Sequence, residues 1–222
     1  MGRTALRRAT VVLTAALVLT VTFSPVAHAA DAGLTAAMLD TGDLPAGFTP
    51  DAALTGPLTA QRAQDLGLNP GQNWSRDTSI RTWLAPDGAV VVEAAVDAGT
   101  GDHARAAASG VSTLKEQGAT RQPVAGFDVY GGFVGRYFEL VLPLARGPYL
   151  FGLYVLVPAS SAGSADRLMS ELGAAQVRKV PADTPDTARP SYAPAAAGAV
   201  IGALIGYLLL VNGVGYLRNP LR

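Results

Sequence analysis

Residues 195–217 contain no charged side chain, and Asn212 is their one strongly polar group. At about 1.5 Å per residue such a run spans a hydrocarbon core of about 30 Å, so it is expected to be a transmembrane helix. A second apolar run lies at the other end. Arg3, Arg7 and Arg8 precede an almost wholly apolar stretch at 9–23, Pro25 breaks it, and Ala27-His28-Ala29 presents small residues where a signal peptidase reads them. Cleavage is expected after Ala29. The Arg7-Arg8 pair is followed by Ala9-Thr10, which fits general export better than twin-arginine export. An export signal and one stop-transfer helix permit a single topology. Residues 30–179 form an extracytoplasmic domain, 180–194 a stalk, 195–217 the membrane helix and 218–222 a cytoplasmic tail. Arg218 and Arg222 lie on the side that basic residues favour.

Gly198, Gly202 and Gly206 recur at every fourth position of the membrane run, with Ala199 and Ala203 beside them. Small residues so spaced let a second helix backbone approach closely, which makes this face a candidate for homodimerisation or for a membrane-protein partner. The stalk is read from Pro181, Pro185, Pro190 and Pro194, which deny it both helix and paired strand.

The whole chain has 17 basic and 17 acidic residues and 15% charged residues, which argues against a basic nucleic-acid-binding surface. Residues 30–193 hold 12 bases against all 17 acids, so the exported part is mildly acidic, net −5. The chain has no cysteine, which excludes disulfides, thiolate metal sites and thiol catalysis.

Between the ends the pattern predicts an α+β domain. Short helices are expected over 34–40 and 59–66. An alternating strand at 79–84 and a second at 89–97 flank the turn Pro86-Asp87-Gly88. A helix capped by Asp102 follows and closes at Gly118. Strands are expected at 126–130, 133–142 and 149–157, with turns at Gly131-Gly132 and Arg146-Gly147-Pro148, and a last helix over 164–177. The order β-β-α-β-β-β-α implies an antiparallel sheet of about five strands with the helices on one face. Both sides of 133–142 carry aromatic residues, so the segment 34–68 is expected to cover the second face.

Catalytic chemistry is poorly represented. After cleavage His103 is the one remaining histidine, and its place in a helix's first turn fits a solvated residue. No G-x-S-x-G motif occurs. Asp97 and Asp102 around Gly99-Thr100-Gly101 would repel an anion and are better read as capping groups. Glu93 and Glu139 are a conceivable acid/base pair, although single strand glutamates usually face solvent. No catalytic residue, metal ligand or cofactor is therefore assigned. A binding role fits better, since aromatic residues gather in the sheet. If some line an opening beside the N-terminal segment, Trp83 and Phe138 would supply an apolar wall, with Arg81 or Arg136 as its polar group.

The stretch Ala37-Met38-Leu39-Asp40-Thr41-Gly42-Asp43-Leu44-Pro45-Ala46-Gly47-Phe48-Thr49 resembles the opening of exported actinobacterial lipoproteins and sensor-type domains, in which a short helix leads into a D-L-P-x-G-[FW] turn. That likeness implies an α+β domain and assigns no functional residue. The chain lacks the lipoproteins' cysteine and the sensors' kinase. The expectation is thus a single-pass cell-membrane protein with a noncatalytic extracytoplasmic domain that binds a small or lipidic ligand or a protein. The alternative is a structural or assembly component acting through its membrane helix.

Overall fold

The computed structural model describes residues 32–58, 78–109, 120–134 and 136–187. Eight strands form one sheet: β1 (Thr49–Pro50), β2 (Gly56–Pro57), β3 (Thr78–Leu84), β4 (Val90–Asp97), β5 (Thr120–Val124), β6 (Phe127–Val134), β7 (Tyr137–Arg146) and β8 (Tyr149–Pro158). Their order is β1-β3-β4-β8-β7-β6-β5, with β2 also pairing with β3. Every pairing is antiparallel. Three helices pack on the sheet: α1 (Ala32–Ala37), α2 (Gly101–Ser109) and α3 (Ala162–Lys179). The domain is α+β, as expected from its sequence, but larger in strand number. The expected export signal, the expected helices at 59–66 and 195–217 and the Gly198–Gly202–Gly206 positions lie outside the described residues. Among the described residues no helix is long and apolar enough to cross a membrane.

The central strands are apolar on both sides. All eight residues of β4 are buried, as are the first nine of β8. Continuous apolar runs of this kind belong to strands covered on both faces. One face gathers Trp83, Val91, Leu153, Val155, Leu140 and Leu142 against Leu168, Met169 and Leu172 of α3. The other carries Ile80, Val92, Ala94 and Tyr154, all buried. α2 and α3 both lie over β7 and β8, yet Ala104 and Ala107 of α2 are buried outside the cluster beneath α3. The two helices therefore occupy opposite faces, which corrects the expectation of helices on one face. The described first part of the segment 34–68 also departs from expectation, whereas 59–68 lie outside the described residues. Leu39 and Leu44 join the α3 cluster, so residues 32–44 cover the face that α3 covers.

One expected turn moved and one unexpected turn appears, each for an identifiable reason. Gly131 and Gly132 lie inside β6, and the next strand, β7, starts only at Tyr137. A Cβ on Gly131 would meet Glu139 O and Leu140 Cδ2 at 2.5 Å, so that glycine answers a close approach by β7. The other reversal is at Ala125-Gly126, whose φ angles of 51° and 87° suit a tight hairpin. It makes 120–124 a strand, and Pro123 is tolerated there because β5 is an edge. The α2 cap differs as well. His103 N–H donates to Thr100 Oγ1 at 3.2 Å, whereas Asp102 pairs with Arg105.

Candidate functional site

Residues 32–44 lie across the sheet as a strap, and side chains from three other elements hold them there. Leu34, Met38 and Leu39 are buried beneath the strap. On β3, Arg81 donates to the carbonyls of Thr35 (2.9 Å), Met38 (3.3 Å) and Leu39. Glu93 on β4, directly opposite Arg81 in register, accepts from Leu39 N–H at 2.9 Å. Gln176 of α3 donates to Ala37 O at 2.8 Å. Lys179 reaches both Asp40 and Asp43 at 2.7 Å, and these two acids in turn close a capping box around the turn 41–43. Because the strap pairs with no strand, these side chains satisfy its backbone in place of a ladder.

The electrostatics follow from burial. Glu93 has no exposed surface, and loss of solvation pushes its carboxyl up to about 8, against the lowering effects of Leu39 N–H and Arg81. Its Oε1 has no hydrogen-bond partner, and neither has Gln176 Oε1. The Lys179 hydrogen bond, opposed by partial burial, pulls Asp40 below its usual value. Burial also works against the Lys179 charge, but its two carboxylate partners outweigh this and raise it.

The four residues expected to line a binding site separate into two pairs. Arg81 and Trp83 meet at a shallow hollow of about 180 Å³, whose other walls are Asp40, Thr41, Pro50 and Thr55. That is below the roughly 300–1,000 Å³ of ordinary ligand pockets. Trp83 is only 2% exposed, with Nε1 3.4 Å from Thr41 Oγ1, and the Arg81 guanidinium is committed to the strap. Arg136 and Phe138 lie on the far side of β4 and β8. There Phe138 stacks against Phe133 at 4.9 Å between centroids, and exposed Arg136 sits over the Tyr137 ring at 5.6 Å. Phe133 is 67% exposed. The β6–β7 register explains this grouping, since it sets Phe133 opposite Phe138.

Glu93 and Glu139 do not meet. Glu93 faces the strap beside Leu153, whereas Glu139 registers with Leu156 on the other face and accepts from Tyr154 Oη at 3.2 Å. Burial raises Glu139, with the Tyr154 hydrogen bond acting the other way. It also raises Tyr154, as does the neighbouring Glu139. Among the described residues no group of three or more His, Asp or Glu is placed to hold a metal ion.

The start of the Pro-rich segment is docked on the domain. Thr187 N–H donates to Gly99 O at 3.0 Å and its hydroxyl to Asp97 Oδ1 at 2.9 Å, which also caps Gly99 N–H. Asp186 accepts from Gly101 N–H at 2.8 Å. Asp97 thus fastens a loop and the tail together.

Sequence reasoning missed Gln176 and Lys179 as partners of the strap and Phe133 as an exposed aromatic. A charged residue inside the run Val90–Asp97 was the one available signal for the first group, and it pointed to Glu93 alone. Neither a family model nor a curated protein matches the chain. A crystal structure of a protein from Bacteroides thetaiotaomicron VPI-5482 matches 43% of the chain at 14% identity, with a TM-score of 0.32. The match spans 41% of that protein's length.

Proposed function

We propose that the chain is a membrane-anchored extracytoplasmic binding domain that engages an apolar surface of a protein partner through the β6–β7 hairpin. The observation that carries this reading is Phe133, two-thirds exposed yet stacked on Phe138 and followed by exposed Arg136. Aromatic and arginine side chains are the groups that supply most binding energy at protein interfaces. The mild negative charge of the exported part disfavours an anionic lipid surface as the alternative occupant. A small-molecule site has less support, because the Arg81–Trp83 hollow is small and its polar walls already serve the strap. The anchor is the 195–217 run and the export signal is 1–29, which puts the short C-terminal tail in the cytoplasm.

The test is a photo-crosslinking side chain at position 133 of the full-length protein in intact cells, with position 171 on exposed α3 surface as the control. A discrete protein adduct at 133 that disappears with Phe138→Ser, and is missing at 171, supports the reading. Lipid adducts alone, or the same adducts at both positions, overturn it.

A further inference from the structure

The strap and the carboxyl beneath it form a second device, separate from the hairpin surface. We propose that Glu93 is a proton-operated latch, holding residues 32–44 on the sheet as a neutral acid and releasing them more readily as the surrounding pH rises. Four features carry this. Glu93 is completely buried, between apolar Val92 and Ala94 in its own strand. One of its oxygens holds the strap at Leu39 N–H. Its other oxygen is without a partner, which is costly for a carboxylate and tolerable for an acid. The segment it holds relies on side-chain fastenings, so it can lift without tearing a strand ladder.

The charged groups around the latch come from three elements. β3 brings Arg81 from the opposite register position, α3 brings Lys179, and the strap brings Asp40 and Asp43. β8 offers only Leu153 across from Glu93. The Lys179 ammonium is raised and the Asp40 carboxyl lowered, so both keep their charge between pH 5 and 8. In the closed strap Glu93 is pushed up to about 8. Once exposed it returns to its ordinary value of 4.5. Between these two values the closed form holds a proton that the open form has lost, so opening becomes easier as pH rises. Below the lower value both forms are neutral, and above the upper one both are ionised, so the dependence vanishes at either end.

Hydrogen exchange of backbone amides in 32–44, measured on the full chain in detergent and corrected for intrinsic rates, tests this directly. The opening constant of the strap is expected to rise about tenfold per pH unit from pH 5 to 8 and then level off. Glu93→Gln keeps an acceptor for Leu39 N–H and cannot ionise, so its profile is expected to be flat. The same rise in Glu93→Gln, or a flat profile in the unmodified protein, overturns the proposal. Should Glu93→Gln fail to fold, infrared spectra in the Glu139→Gln background decide. A protonated-carboxyl band that fades in step with strap exchange supports the latch, and its absence at pH 6 overturns it.

Discussion

The two margins of the sheet break the inside–outside rule in opposite directions. At the β3–β4 side, polar groups are buried: Glu93 and Gln176 are fully enclosed, and Arg81 is spent on backbone carbonyls. At the β6–β7 hairpin, an aromatic side chain is exposed. The first departure is answered by structure, because most of those polar atoms meet a group of the strap. The second is answered by nothing in the described domain beyond Phe138. Buried polarity with partners builds architecture, whereas exposed apolar surface without cover calls for something outside the molecule.

The sharpest way to break this contrast is Arg81→Ala. It strands the carbonyls of Thr35, Met38 and Leu39, so unfolding free energy should fall by about 2–3 kcal/mol in chemical denaturation. Arg81→Lys should recover only part of that loss, because one ammonium cannot span the same carbonyls as a planar fork. A smaller loss than about 1 kcal/mol for Arg81→Ala would mean that the strap is held by Leu34, Met38 and Leu39 alone.

Gly131→Ala acts between the two margins. Its new methyl would arrive 2.5 Å from Glu139 O and from Leu140 Cδ2, so a loss of about 1–3 kcal/mol is expected. An unchanged melting temperature would indicate that β6 and β7 are less closely apposed. Lys179→Met should cost about 1 kcal/mol or less, since its partner Asp40 is largely exposed. The strap should nevertheless exchange faster in that variant. Phe133→Ser has the least effect on folding, within about 0.5 kcal/mol, while crosslinking through the hairpin is lost. A substantial stability loss there would turn the exposed aromatic into a structural residue and remove the contrast.

How much of this was legible in the sequence varies with the range of the interaction. The hairpin of β3 and β4 was readable, because alternation and Pro86-Asp87-Gly88 are local signals. The reversal at Gly131-Gly132 was misplaced, because two adjacent glycines suit a turn and a close strand approach equally well. Arg81 and Trp83 were singled out together and do meet, for they are two residues apart on one strand face. Arg136 and Phe138 could not be placed relative to them without knowing that β4 and β8 intervene.

By itself, then, the amino-acid order determined the α+β class and the hairpin around Pro86-Asp87-Gly88. Those properties follow from periodicity and runs of like residues, which are features of neighbouring positions. Tertiary structure alone decided that α2 and α3 take opposite faces, that the strap lies beneath Gln176 and Lys179, and that Glu93 is sealed from water. Each depends on pairs of residues far apart in the chain, as with Gln176 and Ala37. Burial, and hence the upward push on the Glu93 carboxyl, is a property of what the fold brings over a side chain and is not encoded by its neighbours in sequence.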